Sequence, residues 1–260
     1  MAAKAAPLRP RKRFGQHFLV DPAAIRRIVG ALGPRDGPPV VEIGPGRGAL
    51  TAPLVEAFGR LTAIEIDRDL AAQLRDRFPA ASLTVVEADI LEVPIEEVAG
   101  EPVRLVGNLP YNVSKPVADK IVRERAGVAS AVLMFQREVA ARLTALPGTR
   151  AFGPLTVLVG EAFRVERLFD LGPAAFRPAP EVSSTVTRWT PRPEAFSSVS
   201  EGGLRAALRA GFAHRRRTLR NNVPPGLLED AGIDGGLRAE ALTPEDWRRL
   251  GKLWPLGSPR

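Results

Sequence analysis

The sequence predicts an α/β fold in which a mostly parallel sheet of about seven strands, one of them antiparallel, is followed by a small all-helical domain. Three observations support this prediction. Between about residues 40 and 146, short apolar runs alternate with segments of helical periodicity, which is typical of a parallel sheet covered by helices on both faces. Two strand-like runs then follow with no clear helix between them, as expected for a terminal hairpin. Beyond residue 193 only helical patterns remain, at residues 204–212, 218–223 and 244–254.

The first predicted element is a short helix near the N-terminus. Asp21 is a good helix N-cap, Pro22 suits the first turn, and apolar residues follow at helical spacing. After a turn-rich break at residues 33–39, the alternation begins. The predicted strands are residues 40–43, 61–66, 83–86, 103–106, 131–135, 165–168 and 182–189. The helices expected between them are residues 49–58, 68–78, 115–125 and 138–146.

The two ends of the chain have a different character from its middle. Residues 1–13 are predicted to form a flexible basic arm. Pro191 and Pro193 indicate a boundary between a domain over residues 14–190 and a helical domain over residues 191–260. The net charge is +8, with +5 in residues 1–13 and +4 in residues 191–260. Basic appendages around a near-neutral body suit a polyanionic partner, although a solvated tail and a solvated helix face give the same pattern.

Composition excludes several classes of protein. No apolar run reaches membrane-spanning length, and the basic N-terminus lacks the apolar region of a secretion signal, so we expect a cytoplasmic protein. The chain has no cysteine, which excludes a disulfide framework, a thiolate metal site and a thiol nucleophile. Its two histidines, His17 and His214, lie in unrelated contexts, so no metal site is expected.

A glycine-rich segment follows the strand at residues 40–43. It reads EIGPGRG over residues 42–48, and Gly44 and Gly46 allow a tight turn and a close approach of the backbone to a ligand. Glu65 follows 21 residues after Gly44, at the end of the next strand, where a carboxylate can accept both ribose hydroxyls of an adenosine. With Ala49, the same segment also matches a dinucleotide-binding motif, so a dehydrogenase is an alternative on this evidence alone.

Asp89 and the segment after the fourth strand favour a different cofactor. Asp89 ends the third strand, where it can accept a hydrogen bond from an adenine amine, although it could also be a simple N-cap or loop residue. The segment GNLPY at residues 107–111 lies where ligands bind in an open α/β sheet. This combination suits S-adenosylmethionine better than NAD.

The segment GNLPY contains what methylation of a nucleobase amine requires. That amine is a poor nucleophile, and two hydrogen-bond acceptors would orient it and return electron density to its nitrogen. The side-chain oxygen of Asn108 and the carbonyl of Leu109 are the expected acceptors, because Pro110 stiffens the turn and has no N–H. Tyr111 offers a flat face for an unstacked base. A proline turn that only closes a strand is the alternative.

Taken together, these motifs resemble the small-subunit ribosomal RNA adenine dimethylases, and the resemblance covers nearly the whole chain. Besides residues 42–48, 65–67, 89 and 108–111, it rests on FGQHFL at residues 14–19, FQRE at 135–138, FRPAPEVSS at 176–184 and FAHRRRTLRN at 212–221. It implies a Rossmann-like class I methyltransferase fold. The implied S-adenosylmethionine contacts are His17, Leu19, Gly44, Glu65, Asp89 and Asn108, joined by Gly46 of the glycine turn. Many relatives have asparagine where His17 stands.

The resemblance also implies a reaction and a partner. The expected activity is transfer of methyl groups to N6 of two adjacent adenosines near the 3′ end of small-subunit (16S) rRNA, each methylated twice, within a pre-ribosomal small subunit, by a monomer. Phe176 would clamp the extruded base from the face opposite Tyr111, or else be a core residue. The expected RNA contacts are Arg11, Lys12, Arg13, Arg215, Arg216, Arg217 and Arg220. A large-subunit rRNA adenine methylase and a non-catalytic RNA-binding assembly factor remain alternatives.

Overall fold

The computed structural model describes residues 17–110 and 113–255. The strands are β1 (Phe18–Leu19), β2 (Val40–Ile43), β3 (Leu61–Glu65), β4 (Leu83–Glu87), β5 (Val103–Asn108), β6 (Val128–Gln136), β7 (Phe163–Leu171), β8 (Phe176–Arg177) and β9 (Ser184–Pro191). The helices are α1 (Pro22–Ala31), α2 (Thr51–Phe58), α3 (Arg68–Arg77), α4 (Ile95–Ala99), α5 (Ser114–Arg123), α6 (Arg137–Leu143), α7 (Pro154–Ala162), α8 (Glu201–Gly211), α9 (Pro225–Asp230) and α10 (Pro244–Leu253).

Seven strands form one sheet in the order β4-β3-β2-β5-β6-β9-β7. Strand β9 runs antiparallel to both of its neighbours, and the other neighbouring pairs are parallel. The predicted mostly parallel sheet with one antiparallel strand is therefore confirmed. The chain runs outward from β2 through β3 to β4, and then returns to place β5 on the other side of β2. The strand order therefore reverses between β2 and β5. A crevice forms at the carboxyl ends of these two strands, which is where such sheets bind ligands.

Alternation along the central strands divides the core between the two faces of the sheet. Val41 and Leu105 belong to one buried cluster, whereas their chain neighbours Val40 and Val106 belong to the cluster on the opposite face. All four side chains are at most 2% exposed. Burial on both faces explains why these strands read as continuous apolar runs in the sequence.

The structure contains helices that the sequence pattern does not predict. The helix expected at residues 138–146 is α6, which ends at Leu143, and α7 follows it after a loop. Helix α7 is buried almost all round and is rich in β-branched residues, so it shows no amphipathic period. Of the helix expected at residues 218–223, only a 3₁₀ turn at Leu219–Asn221 forms. No helix in the described part of the chain is both long and apolar enough to cross a membrane.

The helices after β9 share their core with the sheet. Leu204 of α8 and Trp247 of α10 belong to the same buried cluster as Leu158 of α7 and the sheet residue Leu105. Ion pairs reinforce this packing: the Arg205 guanidinium lies 2.5 Å from the Asp119 carboxylate of α5. Two more ion pairs between these helices and the rest of the structure join Arg125 to Glu201 at 2.7 Å and Arg248 to Glu161 at 2.8 Å.

Candidate active site

A deep pocket opens at the carboxyl ends of β2, β3 and β5, where the strand order reverses. Its walls come from the N-terminal segment, the glycine turn after β2, the ends of β3 and β4, and the segment after β5. The lining residues are His17, Phe18, Leu19, Glu42, Ile43, Gly44, Pro45, Gly46, Ala49, Leu50, Ile64, Glu65, Ile66, Ala88, Asp89, Ile90, Asn108, Leu109, Pro110 and Val113. The structure thus brings all seven predicted cofactor-binding residues into one cavity.

The glycine turn forms one wall because its backbone takes conformations that side chains disfavour. Gly44 and Gly46 have φ angles of 64° and 58°. A Cβ added to Gly46 would lie 3.0 Å from the ring of Phe18, which packs over the turn from the N-terminal segment. The Arg47 guanidinium lies 4.6 Å from the centre of the same ring. The turn therefore leaves room for a ligand on one side and is covered on the other.

The carboxylate of Glu65 ties the end of β3 to the glycine turn. It accepts a hydrogen bond of 3.0 Å from the backbone N–H of Gly46 and one of 2.9 Å from that of Asp67. Burial raises the pKa of Glu65, and these backbone hydrogen bonds oppose the shift. A carboxylate has about four acceptor positions, so Glu65 can still accept from a ribose hydroxyl.

Glu42 is a pocket residue that the sequence shows only as the first letter of the glycine-rich motif. Its side chain is 1% exposed and accepts a 2.7 Å hydrogen bond from the Thr51 hydroxyl. The pKa of Glu42 is raised to about 8, mainly by burial and also by the nearby Glu65 carboxylate, while the Thr51 hydrogen bond opposes the shift. The floor of the pocket therefore holds an acid that is mostly protonated at neutral pH.

Asp89 and three isoleucines suit an adenine ring. One oxygen of Asp89 caps the following turn by accepting a 2.9 Å hydrogen bond from the N–H of Leu91, which leaves the other oxygen for an amine. Ile64, Ile66 and Ile90 line the same cavity, and Ile66 is 50% exposed. A cavity lined by apolar side chains and a carboxylate matches the polarity of adenine.

Asn108 lies at the tip of β5 with its amide group oriented by the backbone. Its Nδ2 donates a 2.9 Å hydrogen bond to the carbonyl oxygen of His17, so its Oδ1 points to the other side of the amide. The N–H of Leu109 donates to the carbonyl of Met134 at 3.3 Å, and the carbonyl of Pro110 accepts from the Ser114 hydroxyl at 2.9 Å. These bonds hold the turn against β6 and α5. Tyr111, the expected stacking partner, lies outside the described residues.

Phe176 is not in the pocket in this conformation. It pairs with Leu19 across the two-stranded β1–β8 sheet, is 1% exposed, and belongs to a core cluster with Met134 and Leu171. Neither face of its ring is open to a base, so the arrangement is the one expected of a core residue. The base-clamping role stays a prediction, and it requires the Phe176 ring to leave its buried position.

A second, basic cavity lies between α6, the loop after it and the C-terminal helices. It is lined by Glu138, Ala141, Arg142, Arg150, Ala151, Arg215, Arg216, Arg238 and Glu240, and we call it the arginine cleft. Of the predicted RNA contacts, Arg215 and Arg216 line it. Arg217 and Arg220 are exposed but do not line it, and Arg11, Lys12 and Arg13 lie outside the described residues.

Within the arginine cleft, Arg215 has a structural task. Its guanidinium donates to the carbonyl of Phe152 at 2.9 Å and to that of Arg150, and so holds the loop after α6 against the C-terminal helices. Arg142, Arg150 and Arg238 were not predicted as site residues, because they are far apart in sequence and belong to no motif. In residues 17–110 and 113–255, no group of three acidic, histidine or cysteine side chains is arranged to hold a metal ion.

The chain is similar to several known proteins over nearly its full length. A curated relative from Aromatoleum aromaticum named ribosomal RNA small subunit methyltransferase A is 46% identical over 257 residues, covering 97% of each chain. One of the same name from Xanthomonas campestris is 44% identical, covering 94% of this chain and 95% of its own.

Solved structures show the same architecture. A dimethyladenosine transferase from Plasmodium falciparum aligns with a TM-score of 0.77 at 24% identity, covering 90% of this chain and 96% of its own. The 23S rRNA methyltransferase ErmE aligns with a TM-score of 0.68 at 27% identity, covering 91% and 99%. The sequence profile described as ribosomal RNA adenine dimethylase matches residues 8–254. With this match across the chain and these relatives, the protein belongs to the ribosomal RNA adenine dimethylase family.

Proposed function

We propose that this protein transfers methyl groups from S-adenosylmethionine to N6 of two adjacent adenosines near the 3′ end of small-subunit rRNA, and dimethylates each of them. The substrate is RNA in a pre-ribosomal small subunit, and the protein acts as a monomer in the cytoplasm. Members of this family are S-adenosylmethionine-dependent enzymes. The names of the relatives that are 44–46% identical support the small-subunit substrate over a large-subunit one.

The pocket fits the methyl donor by its chemistry. Glu65 can still accept from a ribose hydroxyl, and Asp89 shares the cavity with isoleucines that can pack against adenine. The positive φ angles at Gly44 and Gly46 keep the turn free of side chains. When bound, the donor supplies an electrophilic methyl group on a positively charged sulfur. The protein therefore needs no nucleophile of its own.

The orientation of Asn108 is the observation that carries the proposal. Because its Nδ2 is bound to the carbonyl of His17, its Oδ1 is the atom left to accept an N–H of the adenine amine. The carbonyl of Leu109 is proposed as the second acceptor. With both N–H groups held, the nitrogen lone pair would be left free to accept the methyl group. A strong general base is unnecessary, because the nitrogen becomes acidic only once it is methylated and then loses its proton to water.

The second methylation of each adenosine sets a further condition on these acceptors. A monomethylated amine has only one N–H left to donate, so the second transfer must rely on fewer hydrogen bonds at N6. Removal of one acceptor is therefore expected to change the ratio of singly to doubly methylated product as well as the total rate.

The outer parts of the chain are proposed to hold the RNA. The arm over residues 1–13 and the helical domain over residues 191–260 flank the methyltransferase domain over residues 14–190 and carry the excess positive charge. The arginine cleft supports this assignment because its five arginines face only two glutamates. Arg216 and Arg217 are the proposed phosphate contacts of the C-terminal motif.

A methylation assay with immature small subunits tests the proposal. The protein is incubated with S-adenosylmethionine and the subunits, the RNA is digested, and mass spectrometry locates dimethyladenosine. The variant Asn108→Ala is expected to lose about 10²–10³-fold in rate, the usual cost of one orienting group at a reacting centre. Gln73→Ala, which removes an exposed amide from α3, is the matched control.

Each other outcome points to a named alternative. Full activity in Asn108→Ala overturns the role of that side chain. Modification of large-subunit RNA supports the large-subunit methylase, and RNA binding without donor binding or methylation supports the assembly factor.

A further inference from the structure

A short N-terminal strap, residues 17–20, lies between the donor pocket and the segment that contains β8. On the donor side, Phe18 packs over Gly46 of the glycine turn. On the other side, β1 pairs with β8, and the N–H of Val20 donates to the carbonyl of Ala175 at 2.8 Å. The strap is thus the piece of chain that connects the donor pocket to the segment over residues 175–183, which we call the outer turn.

His17 makes the connection through two hydrogen bonds in opposite directions. Its backbone carbonyl accepts from Nδ2 of Asn108 at 2.9 Å, and its ring Nδ1 lies 2.9 Å from the carbonyl oxygen of Pro178 in the outer turn. Since a carbonyl can only accept, Nδ1 carries the proton in this contact. A shift of the outer turn would therefore move the backbone atom that orients Asn108, and the reverse also holds.

The outer turn leads away from the pocket into the basic surface. Val182 and Ser183, at its end, line a shallow groove together with Gln136 and Arg137. This groove shares Glu138 and Ala141 with the arginine cleft, so the two cavities adjoin. RNA lying in the arginine cleft and reaching Asn108 would pass along the outer turn.

We propose that His17 is a positioning residue that couples binding of the two substrates. Donor binding fixes the strap, and the His17–Pro178 hydrogen bond then restrains the outer turn. RNA therefore binds more tightly to the donor-loaded protein. The inference rests on the proposed function for the identity of the RNA. Coupling between two ligands is reciprocal, so RNA must tighten donor binding by the same factor.

The coupling factor can be measured with S-adenosylhomocysteine as the donor-site probe and immature small subunits as the RNA probe. The wild-type protein is expected to bind the subunits at least about fivefold more tightly in the presence of saturating probe, at the lower end of typical coupling factors. The probe is expected to bind more tightly by the same factor when subunits are present. Equal binding with and without the probe overturns the proposal.

Two variants of similar size test whether His17 carries the coupling. In His17→Asn, the amide Nδ2 occupies the topological position of Nδ1 and can donate to Pro178, so the coupling factor is expected to persist. In His17→Leu the donor is absent, and the factor is expected to fall towards one. Thermal unfolding of His17→Leu without ligands, followed through the fluorescence of the buried Trp189 and Trp247, shows whether the variant is folded. An unchanged factor in His17→Leu, or equal loss in both variants, contradicts the role of the hydrogen bond.

Hydrogen exchange in the wild-type protein tests the same idea without a variant. Saturating S-adenosylhomocysteine is expected to slow exchange of the Val20 N–H and of the amides of Phe176 and Arg177. Protection that stops at the strap and leaves the outer turn unchanged contradicts the coupling. Methylation of subunits without any coupling leaves the proposed function standing and removes only this inference. Coupling without dimethylation at the expected adenosines would keep this inference and overturn the proposed function.

Discussion

Replacement of Glu42 by glutamine changes the pH dependence of stability in a way that can be worked out from the pocket. Glutamine has nearly the same shape, and its Oε1 can still accept from the Thr51 hydroxyl. The replacement therefore removes the titrating proton and little else. The folded protein holds this proton up to a pKa of about 8, whereas an unfolded glutamate loses it near 4.5.

The sign of the effect follows from which state binds more protons. Above pH 4.5 the unfolded chain releases the Glu42 proton while the folded chain keeps it, so the free energy of unfolding falls as pH rises. The fall levels off above pH 8, when the folded state also releases the proton. Each pH unit inside this window is worth roughly 1.4 kcal/mol, so between about pH 5 and pH 7 the Glu42 contribution falls by about 2–3 kcal/mol.

Urea unfolding at several pH values measures this contribution. Trp189 and Trp247 are fully buried and report unfolding through their fluorescence. The advantage of Glu42→Gln over the wild type is expected to grow by about 2–3 kcal/mol from pH 5 to pH 7. Glu56→Gln, an exposed change on α2, controls for the general loss of a charge. Parallel stability profiles for the wild type and Glu42→Gln would show that Glu42 is already ionised in the folded protein and would refute the reasoning.

Three further predictions concern the turn and the arginine cleft. Gly46→Ala forces a methyl group against Phe18 at a φ of 58°. It is expected to destabilise the protein by about 1–2 kcal/mol in thermal unfolding and to weaken binding of S-adenosylhomocysteine. Gly30→Ala in α1, where nothing lies within 4 Å of the added methyl group, is the control and should not destabilise the protein. Arg216→Gln is expected to lower the salt slope of RNA binding by about one, and an unchanged slope contradicts a phosphate contact. Arg215→Gln is expected to cost about 1–2 kcal/mol of stability, because two loop carbonyls lose their donor; an unchanged melting temperature would exclude this anchoring role.

The sheet and the pocket could be predicted from the sequence because their signals are local. A buried parallel strand reads as an apolar run, and the residue that follows it faces the ligand edge of the sheet. Glu65, Asp89 and Asn108 were predicted as pocket residues on this basis, and they do line one cavity. The glycine turn carries its own signal, since φ angles near 60° favour glycine at Gly44 and Gly46.

The remaining features depend on contacts between distant parts of the chain. His17 and Pro178 are 161 residues apart, so no local pattern shows that they meet. The burial of Phe176 under Leu19 depends on the same pairing. Helix α7 escapes prediction for another reason, because burial on nearly every side removes the amphipathic period by which helices are recognised.

The buried cluster that joins α7, α8 and α10 has a consequence for engineering. A fragment ending at Pro191 would expose the face of α7 that Leu204 and Trp247 cover, and would leave Glu161 without Arg248. The C-terminal helices are therefore not an independent module that can be exchanged between enzymes to redirect them to another RNA. Chimeras should instead alter the exposed residues around the arginine cleft and keep the buried packing of α7 against α8 and α10 unchanged.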